Sequence, residues 1–188
     1  MTHRIIIMGA PGAGKGTQAE RIATHLGIHT LSTGDLFRKH ISAGTELGEL
    51  ARTYIDNGDL VPDAVTLRMV REAADARGVV DGGFILDGFP RTVAQAEALE
   101  EMLKPLEITS VIELWVDPDE VVTRLLARAA IEGRSDDTAE VIRHRIDVYR
   151  EKTRPLHEYY KERGLLREVN AVGDIAEITD RVLAELEG

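Results

Sequence analysis

Five short apolar runs punctuate the chain, and between them lie longer stretches in which apolar residues recur at helical spacing. The runs are Arg4–Met8, His29–Leu31, Gly83–Leu86, Ser110–Val116 and Leu165–Val169, several of them rich in Ile and Val, as strands prefer. Strands alternating with helical stretches are the pattern of a parallel sheet covered by helices. The expected fold class is therefore α/β, with a central parallel five-stranded sheet flanked by helices.

Lys15–Leu26 sets Ala19, Ile22, Ala23 and Leu26 on one face and stops at Gly27, where a helix ends comfortably on a glycine. Thr33–Arg77 is longer than one crossover needs, and Gly44, Gly48, Gly58 and Pro62 are expected to cut it into short helices forming a small lobe between the second and third strands. A long helical stretch is expected from about Ser135 to Arg163, kinked at Pro155, and Ile175–Leu186 reads as a closing amphipathic helix. The polar segment Gly133–Asp137 is a candidate mobile loop, and Asp137 with Glu140 has capping-box spacing.

Composition narrows the function. A chain of 188 residues can bury its own core as a single domain with small inserted lobes. Its net charge of −10 argues against nucleic acid or anionic lipid as partner, so any phosphate must be met by locally placed cations. The absence of cysteine removes disulfides, thiolate zinc sites and cysteine nucleophiles. The six histidines show no ligand spacing, so no structural zinc is expected. The run Ile5–Met8 is too short for a signal or membrane segment, which makes the cytoplasm the simplest compartment.

Gly9-Ala10-Pro11-Gly12-Ala13-Gly14-Lys15-Gly16-Thr17 follows the first strand and opens the first helix, the context a phosphate-binding loop requires. Glycines let successive N–H groups turn inward toward an anion, the helix start adds its positive dipole end, and Lys15 adds a full charge. The alternative is a glycine-rich turn with no ligand. The general motif places Ser or Thr directly after the lysine, whereas this chain has Gly16 there and Thr17 one position later.

A phosphate loop gives nucleotide binding and no particular reaction. A second block, Gly83-Phe84-Ile85-Leu86-Asp87-Gly88-Phe89-Pro90-Arg91-Thr92 followed by Gln95, closes the third strand. A guanidinium can grip phosphate oxygens through paired hydrogen bonds, and an amide can read an adenine edge. Asp87, at a strand end, and Thr17 are the candidate magnesium-linked groups. Each has an ordinary reading too: Asp87 as a turn residue before Gly88, Arg38 as an exposed cation, Gln95 as a solvated side chain, Thr33 as an N-cap. Arg124 and Arg128 are four apart on one helical face, yet Glu120 also stands four before Arg124 and can pair with it.

These blocks, together with Ser32-Thr33-Gly34-Asp35-Leu36-Phe37-Arg38, occur in an order that closely resembles the nucleoside monophosphate kinase family, over essentially the whole chain. Thr33 looks like the adenylate kinase form; UMP and CMP kinases are the nearest rivals. The resemblance implies a phosphate-loop kinase fold and magnesium-dependent, reversible phosphoryl transfer from ATP to AMP, giving two ADP and serving adenine nucleotide homeostasis. It implies that Gly12–Thr17, Arg128 and Gly173 hold ATP, and that Thr33, Arg38, Asp59, Leu60, Val61, Gly88, Phe89, Pro90, Arg91, Gln95, Arg134 and Arg145 hold AMP. Lys15, Arg91, Arg124, Arg128, Arg134 and Arg145 would serve transfer. It further implies a core of residues 1–31, 62–126 and 138–188, a nucleotide-binding lobe at 32–61 and a short lid at 127–137. A monomer is the simplest expectation for a protein that closes around two substrates.

Overall fold

The first apolar run forms the central strand of a parallel sheet, and its four consecutive residues Ile5–Met8 are all buried, as befits a strand covered on both faces. The computed structural model describes residues 2–77, 82–132 and 138–187. In chain order these form β1 (Arg4–Gly9), α1 (Lys15–Leu26), β2 (His29–Ser32), α2 (Thr33–Ser42), α3 (Glu46–Ile55), α4 (Asp63–Arg77), β3 (Phe84–Asp87), α5 (Val93–Leu103), β4 (Ser110–Trp115) and α6 (Pro118–Glu132). Then follow α7 (Ala139–Val148), a π-helical turn (Tyr149–Thr153), α8 (Pro155–Glu162), β5 (Leu166–Asn170) and α9 (Ile175–Glu187).

The sheet order is β2-β3-β1-β4-β5, and every pairing is parallel, with Ile5 opposite Ile85 on one side and Ser110 on the other. Alternate residues supply two cores. Ile5, Ile7, Ile85, Ile112 and Leu114 face α1 and α9, while Ile6, Met8, Leu86 and Val111 face α4, α5 and α8. After β2 and β3 are laid to one side of β1, the chain crosses to place β4 and β5 on the other. Such a switch leaves a crevice at the carboxyl ends of the strands.

The five expected strands agree with the structure to within one residue at either end, and α1 ends on Gly27 at φ 65° with its N–H on the Ala23 carbonyl. Between β2 and β3 three helices appear. Gly48 does not divide them: it lies inside α3, where a Cβ would stand 2.2 Å from the His40 carbonyl oxygen. The glycine is there to let α3 touch the end of α2.

The expected long helix with a kink at Pro155 is instead α7, the π turn and α8. Pro155 occupies the first turn of α8, a position where its missing N–H costs nothing, and the irregularity lies just upstream. The cap of α7 is Thr138, whose hydroxyl accepts from the Val141 N–H at 3.3 Å. Gly133–Asp137, with Arg134, lies outside the described residues. No helix among the described residues is long and apolar enough to cross a membrane.

Candidate active site

The glycine-rich loop leaves β1 at the crevice, and Gly12 and Gly14 take φ of 81° and 91°, a backbone that L side chains avoid. The Ala13 N–H closes the turn on the Ala10 carbonyl at 3.1 Å, and Gly14 caps α1 with no side chain over the free N–H groups. An anion can approach those groups directly. Lys15 curls over the loop, its Nζ donating to the Gly9 and Ala10 carbonyls at 3.0 Å each. Burial pushes its ammonium down to about 8; Asp87 pulls the other way, and Arg91, Arg145 and Arg128 add to the lowering. Five sequence-predicted residues are thereby gathered around one point.

Beside the loop, a cleft runs between α2, the segment after α3, and the β3–α5 turn. Thr33, Arg38, Asp59, Leu60, Val61, Gly88, Arg91, Gln95 and Arg145 all line it. Thr33 is not a cap; Ser32 caps α2 on the Asp35 N–H at 3.3 Å. The Thr33 hydroxyl instead donates to the Gly88 carbonyl at 3.0 Å, which also accepts from Arg91 Nε at 2.8 Å. Gly88 has φ 78°, and a Cβ there would lie 2.8 Å from the Thr33 hydroxyl and 3.1 Å from the Arg91 guanidinium. Only glycine leaves room for both.

Gln95 is not solvated but buried. Its Oε1 accepts from the Arg91 N–H at 2.7 Å and its Nε2 donates to Asp63 Oδ1 at 2.6 Å. Arg38 pairs with Asp35 at 2.6 Å while remaining on the cleft wall. Phe89 is buried in the core, leaving its backbone to the turn, and Pro90 faces the neighbouring cleft.

That neighbouring cleft is lined by Lys15, Pro11, Tyr149 and Thr153, and it shares Gly58, Leu60, Gly88, Arg91 and Arg145 with the first. Arg91 and Arg145 thus stand on a common wall between two cavities. Arg124 is drawn elsewhere: its Nε meets Glu120 at 3.0 Å, the pairing that the spacing allows, and its guanidinium also donates to the Ala171 carbonyl at 3.0 Å. That bond brings α6 to the strand-to-helix loop that carries Gly173, whose φ is 119°. Thr17 is exposed on α1.

An adenylate kinase family model matches residues 7–165 of the chain. The chain belongs to the adenylate kinase family. It is 53% identical to the adenylate kinase of Thermobifida fusca over 97% of both chains. It is 50% identical to that of Kocuria rhizophila over 98% of both, and 48% identical to that of Synechococcus sp. (strain RCC307) over 99% of this chain and 100% of the other. As a member of the family the enzyme transfers a phosphoryl group from ATP to AMP, giving ADP, in nucleotide homeostasis. Adenylate kinases use magnesium with ATP.

Several residues at the site were missed in the sequence. Gly58 reads in the sequence only as a helix break, yet a Cβ there would meet Arg145 Cγ at 2.9 Å. Tyr149 closes the base of the second cleft, with its hydroxyl 3.3 Å from Glu113; burial, then that carboxylate, pushes the phenol up. Asp63 carries no signal except its helix-start position. Each acts through a neighbour remote in sequence, which spacing does not reveal.

Proposed function

We propose that the loop Gly12–Thr17, with Lys15 and Arg128, holds the phosphates of ATP, and that the cleft containing Thr33, Arg38, Gly88, Arg91 and Gln95 holds AMP. Arg145 and Arg91 would then meet the transferring group from both sides. The observation that carries this reading is the common wall: two adjoining clefts, one of them lined by Lys15 of the loop, meet at Arg91 and Arg145. Two unit negative charges at ~4 Å repel by about 4 kcal/mol at an effective dielectric near 20, so acceptor and donor phosphates need cations between them. The transferring phosphoryl is metaphosphate-like and needs little covalent help, and an arginine positioned on it can be worth about 10³–10⁵ in rate. No general base is assigned.

Asp87 is a fitting partner for magnesium. Among the described residues its carboxylate makes no turn bond to its own backbone, and it faces the start of α1 across the space left by Gly16, where a Cβ would stand 3.6 Å from Oδ2. A hard carboxylate oxygen facing a phosphate cradle suits an ion that keeps most of its waters. When bound, magnesium supplies charge neutralisation and orientation of the phosphates. Thr17 is proposed to assist from the first turn of α1, Arg124 with Arg128 to contact ATP and the transferring phosphoryl, and the Gly173 backbone to meet the adenine of ATP.

The domain reading assigns residues 32–61 to a nucleotide-binding lobe and 127–137 to a short lid on a core of 1–31, 62–126 and 138–188. Closure matters because water competes with AMP as acceptor. The reading is of a monomeric cytoplasmic enzyme, and the net charge of −10 argues against nucleic acid or anionic membrane as a partner. The test is ADP formation from magnesium-ATP with AMP, UMP, CMP or water. Rapid formation with AMP alone is expected; comparable rates with UMP or CMP would overturn the acceptor assignment.

A further inference from the structure

The Gln95 amide has two donors and two acceptor lone pairs, and two of these four are committed. Oε1 faces the Arg91 N–H at 2.7 Å, which can only donate, and Nε2 faces Asp63 Oδ1 at 2.6 Å, which as a carboxylate can only accept. The flipped amide would set oxygen against carboxylate and NH₂ against N–H. The orientation is therefore dictated by partner chemistry.

One donor on nitrogen and one acceptor on oxygen remain, on a side chain that lines the first cleft. A 6-aminopurine presents an acceptor at N1 and a donor at N6, which this orientation matches. A 6-oxopurine presents the opposite order, a donor at N1 and an acceptor at O6. A freely flipping glutamine would accept either base. We propose that Asp63 is a specificity-determining positioning residue, which locks the Gln95 amide in the orientation that pairs with adenine and refuses hypoxanthine or guanine.

The inference rests on the reading of Gln95 as the partner of the AMP base. A hydrogen bond to a charged group is roughly twice as strong as a neutral one, and an asparagine at position 63 can present either oxygen or nitrogen. Asp63→Asn should therefore relax the lock with little change of shape.

The experiment compares kcat/KM for AMP with that for IMP and GMP, at saturating magnesium-ATP, in the full-length protein and two variants. Gln95→Ala should collapse the AMP preference. Asp63→Asn should lower the AMP-to-IMP ratio by about fivefold or more, through a raised KM for AMP and a lowered KM for IMP, with the KM for ATP unmoved. A role in helix stability alone would weaken both acceptors alike and leave the ratio intact. Loss of preference in Gln95→Ala with an unchanged ratio in Asp63→Asn would sink the role of Asp63 and spare that of Gln95. An unchanged ratio in Gln95→Ala would remove the reading of Gln95, and the inference with it. Asp63→Ser carries the same comparison if the asparagine variant does not fold.

Discussion

His144 Nε2 lies 2.7 Å from Asp59 Oδ1, joining α7 to the turn after α3 across 85 residues of sequence. The contact ties the segment that walls the first cleft to the helix that carries Arg145. Both side chains are 48% exposed, so the pair belongs to the weak, salt-sensitive class worth at most about 1 kcal/mol. His144→Ala is expected to raise the KM for AMP by up to about fivefold at low salt, with little change for ATP. Steady-state kinetics at two ionic strengths check this, and a salt-independent effect would count against an electrostatic tie.

The lowered Lys15 value has a definite sign. In the free folded protein this ammonium is half deprotonated at about 8, against an ordinary 10.5, so between those values the unfolded chain binds more protons. The group thus works against folding below about pH 8, and the penalty fades as pH rises toward 10.5. A polyphosphate anion in the loop favours the charged ammonium and raises its value. ATP binding near pH 8 should therefore take up protons, and affinity should fall above it. Calorimetry in two buffers of different ionisation enthalpy measures the uptake; Lys15→Met should abolish it.

Arg91→Ala removes the guanidinium from the wall common to both clefts and its bond to the Gly88 carbonyl. The expected result is a loss of about 10³-fold or more in kcat/KM for AMP, with ATP binding at the loop retained. Equilibrium ATP titration of the inactive variant separates the two, since a parallel loss of ATP affinity would point to the loop instead.

Gly48→Ala would press a methyl group against the His40 carbonyl at 2.2 Å. Neither partner is a flexible side-chain end, so α2 and α3 must part. A destabilisation of roughly 2 kcal/mol, or a Tm lower by about 4–8 °C, is expected from such overpacking. Thermal unfolding followed by circular dichroism gives the answer.

Tyr160 is buried in the core between sheet and helices, and among the described residues its hydroxyl has no hydrogen-bond partner. Burial also pushes its phenol up, the expected response of a group that cannot afford charge there. Tyr160→Phe deletes the unpaired oxygen and keeps the edge-to-face contact with Tyr159, whose ring centroid is 5.1 Å away. A gain of up to about 1 kcal/mol, or ~2–4 °C in Tm, is expected; a clear loss of stability would reveal a partner for the hydroxyl.

The sequence by itself determined the five strands, α1 with its Gly27 stop, the phosphate loop and the block Gly83–Thr92. Each is written in contiguous residues: the central strands β1 and β3 are buried runs of apolar residues, the edge strands β2 and β5 are short and more polar, and a loop that turns its N–H groups inward needs glycines at fixed spacing. The family likeness followed from those same local blocks. Local pattern was less able to say which of two adjacent residues caps a helix, as Ser32 beside Thr33 shows, because either can supply the oxygen. Only the tertiary structure decided that Arg124 turns to Glu120 and Ala171, that Gln95 is held by Asp63, and that Arg91 and Arg145 share one wall. These relations join residues tens of positions apart, and they depend on how helices settle against the two faces of the sheet, a packing outcome that no periodicity along the chain encodes.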